Sequence, residues 1–185
     1  MTRSLAELKT DVAKNVRNFA DFPKKGILFR DIMPLIQNSK LLNELCHAIA
    51  NHVKEDLGGA VDAVAGLEAR GFLFGPSVAI LLDVPFIPIR KLGKLPGKTI
   101  KATYVKEYGE DIVEIQADAL QPGARVLIVD DLLATGGTMH AAIDLIEGAG
   151  GKVAEAFVLI ELADLKGRDC LPQHVQLFSL ISYAD

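Results

Sequence analysis

A chain of 185 residues suffices for one domain with a sizeable core, burying about 70% of its unfolded surface. Half of its residues are hydrophobic, and 20 basic against 24 acidic side chains leave a formal net charge of −4. That balance excludes a broad basic face and argues against a dedicated nucleic-acid binder or a protein drawn to acidic membranes.

The opening "MTRSLAELKTDVAKN" lacks the apolar stretch of a signal peptide, so a cytoplasmic location is expected. Ser4 and Glu7 have capping-box spacing, with Leu5, Leu8, Val12 and Val16 following at helical intervals. "FADFPKKGILFRDIMPLI" (19–36) is punctuated by prolines and a glycine and reads as extended chain and loop. Ser39 is placed to cap a helix over 40–56, closed by Gly58-Gly59. Cys46 lies on that helix and reads as a small buried hydrophobe. Neither it nor Cys170 belongs to a CxxC or disulfide framework, and the four scattered histidines (His47, His52, His140, His174) do not suggest zinc.

"VDAVAG" (61–66) reads as a buried strand running into "LEARGF", with a helix over 72–82 containing Pro76 near its start. The apolar run 71–82, broken by Gly75 and Pro76, is too short to span a bilayer, and no membrane partner is expected. A strand at 84–90 precedes "KLGKLPGKTIK" (91–101), a basic loop expected to be mobile. "ATYVKEYGEDIVEIQ" (102–116) alternates as two strands with a turn near Tyr108-Gly109. "ARVLIVDD" is an apolar strand, 138–147 a helix ended by "GAGG", and "VAEAFVLIEL" and 174–182 two further strands. Strands alternating with helices predict an α/β fold, a parallel twisted sheet flanked by helices, with ligands at the carboxyl ends of the strands. Glu68 to Gly71, Asp130-Asp131 and Glu161-Leu162 all fall at such ends.

"VLIVDDLLATGGT" (126–138) joins two chemistries that should repel each other. Gly136 and Gly137 allow close backbone approach, Thr135 and Thr138 offer hydroxyls, and the turn opens a helix with free N–H groups: an anion nest. There is no GxxxxGK[ST] and no GxGxxG. Alone, the turn is equally a tight strand-to-helix connection with a capping threonine. Asp130 and Asp131, however, end a buried strand, where two carboxylates cost desolvation energy unless something uses them. A helix cap accounts for one of them. A ribose 5-phosphate accounts for both, with its diol on the carboxylates and its phosphate on Ala134, Thr135, Gly136, Gly137 and Thr138.

The stretch resembles the phosphoribosyl-pyrophosphate motif of the type I phosphoribosyltransferase family. "FPKKGILFRDIMPLI", "GLEARGFLFGPSVA", "RKLGKLPGKTIKATYVKEYGEDIVEIQADAL" and "IELADLKGR", in that order, resemble its adenine-specific branch over nearly the whole chain. The resemblance implies one domain over 1–185. Residues 1–36 would contribute a small base-binding hood, and 91–116 a flexible catalytic loop and hairpin. It implies transfer of phosphoribosyl from phosphoribosyl pyrophosphate to adenine, giving AMP and pyrophosphate in purine salvage. Magnesium would be carried by the substrate without direct protein ligands, and the chain would form a homodimer.

The resemblance also distributes roles. Arg70 matches the pyrophosphate-loop arginine, with Glu68 and Ala69 beside it. Arg90, Lys91 and Lys94 supply a basic patch, part of it reaching across the dimer; without the resemblance they read as a solvated surface run. Glu107 and Tyr108 match the catalytic loop, with Glu107 at adenine's imidazole edge and loop closure excluding water. Main-chain groups of Leu28 and Arg30 match the base-reading positions, while Phe29 and Leu162 would pack on the ring. Three rivals are weaker. A xanthine-type specificity would differ near Ala134-Thr135 and in the base-reading segment. A ligand-sensing regulator needs a DNA-binding module or basic face, and a dinucleotide oxidoreductase needs the glycine fingerprint.

Overall fold

The Ser4–Glu7 capping box forms as expected: Glu7 N–H donates to Ser4 Oγ at 3.3 Å, and Ser4 N–H donates to the Glu7 carboxylate at 2.7 Å. It starts α1 (Leu5–Lys14), which buries Leu5, Leu8 and Val12. The structure is a computed structural model that describes residues 3–58, 61–106 and 109–184, with the side chains of 105–106 and 109–110 also outside the described set.

Residues 19–36 are more ordered than a loop. β1 (Arg17–Ala20) and β2 (Leu28–Asp31) form an antiparallel hairpin with Phe19 opposite Phe29, and α2 (Met33–Gln37) follows. All four β1 residues are exposed, so no apolar alternation marks the strand, while Pro34 sits in the first turn of α2, where its fixed φ suits a helix start. The cap of α3 (Ser39–Asp56) is Asn38 rather than Ser39, its side chain accepting from Leu41 N–H at 3.2 Å. Gly58 follows with φ +68°, and Gly59 lies outside the described residues.

β3 (Ala63–Leu67) is buried throughout. The single helix expected over 72–82 is divided into a 3-10 turn, Arg70–Leu73, and α4 (Gly75–Leu82). Next come β4 (Phe86–Lys91), β5 (Thr99–Lys106), β6 (Gly109–Gln116), β7 (Arg125–Leu133), α5 (Gly137–Gly148), β8 (Lys152–Leu162) and β9 (Leu177–Tyr183). The loop expected over 91–101 is thus only 92–98. The β5–β6 hairpin pairs Lys106 with Gly109, and Tyr108, where the turn was expected, lies outside the described residues.

These strands form a seven-stranded sheet ordered β5-β6-β4-β3-β7-β8-β9. The five strands from β4 to β9 in that order are parallel, and β6 runs antiparallel to both β4 and β5, so the sheet is mixed. Both faces are covered. Leu127 and Val129 of β7 pack with α1–α4, while Val126 and Ile128 pack with α5 and the β5–β6 hairpin. From β3 the chain winds one way to β4 and the other way to β7, and such a reversal opens a crevice at the carboxyl ends of the two strands.

Candidate active site

At that crevice the chain places its charged groups. Parallel pairing of Gly66 with Val129 brings the segment after β3 beside Asp130 and Asp131. Gly71 lets the 3-10 turn lie on β7, since a Cβ there would stand 2.6 Å from the Val129 carbonyl oxygen. The resulting cleft, about 250 Å³, is lined by Glu68, Ala69, Arg70, Tyr104 and residues 130–139. The two segments singled out in the sequence therefore meet in one place: Glu68, Ala69 and Arg70 from one, and Asp130, Asp131 and the loop from Ala134 to Thr138 from the other.

The acids are held under electrostatic tension. Burial, and then the neighbouring Asp131, push the Asp130 carboxyl well above the usual range, while Asp130 Oδ1 accepts the Asp131 N–H at 2.9 Å. Burial also raises Asp131, against the opposing charge of Arg70. Arg70 Nε stands 2.9 Å from Asp131 Oδ2, yet the contact lacks hydrogen-bond alignment and leaves that buried oxygen without a donor. A donor from a ligand would satisfy it.

Beyond the acids, Gly136 adopts φ +86°, turning the chain into α5. Among the described residues no side chain caps α5, and its first turn lines the cleft, an arrangement suited to an anion. One cleft thus offers acceptors at one end and donors at the other.

Glu68 supports the wall. It receives Arg90 Nε at 3.2 Å, Arg90 Nη2 at 3.1 Å and the Lys91 N–H at 3.1 Å, and Arg90 first of all holds its carboxyl below the usual range. The peptide Glu68-Ala69 is cis. Arg90 also donates to the Lys94 carbonyl at 3.1 Å, while the Lys91 and Lys94 side chains are exposed. Buried Glu114 shapes the same loop, accepting the N–H groups of Gly93, Lys94 and Leu95 at 2.9, 3.2 and 3.3 Å.

The β1–β2 hairpin approaches the cleft through Arg70, whose guanidinium lies 5.3 Å from the Phe29 ring centroid. Arg30 is buried, stacks 4.0 Å from the Tyr183 centroid and donates to Asn18 at 2.8 Å. Tyr183 pairs in register with Leu162. Leu28 and Leu162 do not line the cleft itself. Glu107 and Tyr108 lie outside the described residues.

Five residues of the site were not singled out in the sequence. Tyr104, Leu132, Leu133 and Met139 line the cleft. Asp31 feels the charge of Arg70; burial works to raise its carboxyl, but the Met33 N–H and Arg17 outweigh it and hold the group below the usual range. Tyr104 shares a strand face with Ala102, a signal that alternation alone could have supplied.

A mixed sheet with acids and an uncapped helix start at its switch point defines the class. The sequence model of the phosphoribosyl transferase domain matches residues 35–173. Among solved structures, adenine phosphoribosyltransferase from Saccharomyces cerevisiae, complexed with adenine and an imino-altritol bisphosphate, superposes with a TM-score of 0.91 at 42% identity, covering 95% of this chain and 99% of that one. The Trypanosoma brucei enzyme, in complex with AMP, pyrophosphate and ribose-5-phosphate, superposes at 0.87 with 27% identity, over 95% of this chain and 79% of that one. Adenine phosphoribosyltransferase of Caenorhabditis elegans is 64% identical over 177 residues, 96% of this chain and 95% of that protein. The chain belongs to the phosphoribosyltransferase family, and within it to the adenine phosphoribosyltransferases.

Proposed function

We propose that this chain transfers the 5-phosphoribosyl group of phosphoribosyl pyrophosphate to adenine, releasing AMP and pyrophosphate. The observation that carries the reading is the pairing of Asp130-Asp131 with the uncapped start of α5 in one cleft beside Arg70. The bond from the anomeric carbon to the pyrophosphate oxygen breaks, the bond to adenine nitrogen 9 forms, and the proton on the imidazole ring leaves. The sugar passes through an oxocarbenium-like state, which neighbouring carboxylates stabilise.

In this reading Asp130 and Asp131 accept the ribose hydroxyls, and 134–138 hold the 5-phosphate. Glu68, Ala69, Arg70, Arg90, Lys91 and Lys94 form the pyrophosphate side, where arginine suits bidentate phosphate binding. Arg90, tied to Glu68 and the Lys94 carbonyl, keeps that wall in shape. Glu107 and Tyr108 close over the reaction, Glu107 easing proton rearrangement at the imidazole edge. Leu28 and Arg30 read adenine through their main chain, with Phe29 and Leu162 against the ring. The whole of 1–185 acts as one domain, with 1–36 contributing the base pocket and 91–116 the flexible loop.

The donor set of the cleft, two carboxylates beside open N–H groups and an arginine, fits a magnesium ion that arrives on the pyrophosphate and keeps its waters. When bound, magnesium neutralises charge on the leaving group. A homodimer fits the exposed apolar Leu73 and Ile80, the latter 78% exposed on α4. A cytoplasmic site of action accords with the helices described, none long and apolar enough to cross a membrane.

The test is the double replacement Asp130→Asn with Asp131→Asn. It should keep the circular dichroism of the parent and lose on the order of 100-fold or more in kcat/KM for AMP formation. An unchanged rate would remove the reaction from this cleft.

A further inference from the structure

The phosphate loop does not stand alone. A Cβ on Gly136 would collide with the Gly167 carbonyl oxygen and come within 3.2 Å of the Cys170 side chain. A Cβ on Gly167 would collide with the Ala134 carbonyl oxygen and stand 2.9 Å from the Gly136 nitrogen. Two backbones, about thirty residues apart in sequence, therefore lie directly against each other with no side chain between them.

The second backbone is itself pinned. Residues 163–170 form two 3-10 turns joined at Lys166, and they leave β8 immediately after Glu161 and Leu162. Glu161, buried to 8% exposure, accepts Arg168 Nε at 3.0 Å, Arg168 Nη2 at 2.7 Å and Ser179 Oγ at 2.6 Å. Arg168 Nη1 donates to the Leu177 carbonyl at 2.9 Å. One guanidinium thus ties the turn to the ends of two strands of the sheet. None of these side chains lines the cleft.

We propose that residues 163–170 are the template on which the phosphate loop is set, with Arg168 and Glu161 as positioning residues for the 5-phosphate. The inference rests on the reading of 134–138 as the 5-phosphate cradle. Gly167 transmits position by contact: if the turn moves, the Ala134 carbonyl and the Gly136 N–H lose the surface that fixes them. An anion nest depends on the direction of its N–H groups, so a small rotation lowers phosphate affinity and leaves base recognition alone.

The experiment compares AMP with adenosine, which lacks only the phosphate, by titration calorimetry on the intact protein. Arg168→Met and Gly167→Ala should each raise the Kd for AMP on the order of tenfold and leave that for adenosine unchanged. KM for phosphoribosyl pyrophosphate should rise in parallel, with KM for adenine and kcat nearly constant. Arg168→Lys should recover part of the loss, because one ion-pair contact to Glu161 can be kept. Arg168 is about half exposed at its side chain, so Arg168→Met carries the test if Gly167→Ala does not fold. Equal losses for AMP and adenosine, or a lower melting temperature with AMP affinity intact, overturn the template. A parent protein that binds AMP no better than adenosine would instead remove the phosphate cradle itself.

Discussion

Replacing Asp130 by asparagine takes one negative charge from near the carboxyl end of β7 and leaves its shape almost untouched. The carboxamide oxygen of the new side chain can still accept the Asp131 N–H that Asp130 Oδ1 now accepts at 2.9 Å. What disappears is the cost of ionising a buried acid beside another acid, the two effects that push Asp130 upward. Arg70 offsets only one of the two charges, through its 2.9 Å approach to Asp131. Relieving that charge pair should stabilise the free protein by about 1–3 kcal/mol, the scale on which replacing buried charges by neutral groups acts, with a melting temperature higher by roughly 2–4 °C per kcal/mol.

The pH dependence fixes the cause. A raised folded pKa means that the parent loses stability as pH rises through that pKa and regains it toward the unfolded value near ~3.9. The advantage of Asp130→Asn should be larger at neutral pH than in acid and fade on acidification toward the unfolded value. AMP should narrow it as well, because in the proposed reading the ribose hydroxyls donate to the carboxylates of the parent. Differential scanning calorimetry from neutral to acid pH, with and without AMP, reads all of this. A variant less stable than the parent at neutral pH, or an advantage that grows in acid, refutes the reasoning.

Two further expectations follow from the geometry and the proposed roles. Both His52 ring nitrogens face carboxylates, Asp56 at 2.6 Å and Glu155 at 2.8 Å, and the Glu155 hydrogen bond above all raises its pKa. Its contribution, about 1–2 kcal/mol, is full below the unfolded pKa near ~6.5 and lost as pH rises through the folded value. The melting-temperature deficit of His52→Gln should accordingly be larger at about pH 6 than at about pH 9, and a deficit that increases with pH would contradict the ion pair. Glu107→Gln should lower kcat on the order of 100-fold with little change in KM for adenine. Steady-state kinetics at saturating sugar donor decides it, and unchanged turnover would end that assignment.

Legibility in the sequence followed the range of the interactions. The Ser4–Glu7 box and the acid pair are local patterns: the box forms as its spacing predicts, while the acids lie near the carboxyl end of β7 rather than at it, two residues before the strand stops at Leu133. Cys46 is buried as expected, its thiol pushed up to about 11 by that burial. Asn38 displaced Ser39 as a cap because neighbouring residues offered equivalent oxygens, and only backbone geometry chose between them. The β1–β2 hairpin left no trace in the pattern because a strand exposed at every position has no period-2 signature. Glu114 and Gly167 were silent for a different reason, while Glu161 was marked only by its place at a strand end. The roles of Glu114 and Gly167 arise from partners between roughly 15 and 30 residues away, brought close by the hairpin and the parallel strands, and nothing local marks them.

The central claim is that this cleft makes AMP and reads adenine. It is tested most directly by pyrophosphate release with phosphoribosyl pyrophosphate and magnesium, offering adenine, hypoxanthine, guanine and xanthine in turn. Hypoxanthine reverses the donor and acceptor that adenine presents at position 6 and nitrogen 1, a mismatch that can exceed about 1000-fold. Turnover is expected with adenine, and at most traces with the others. Comparable turnover with another purine, or none with adenine, would contradict the claim.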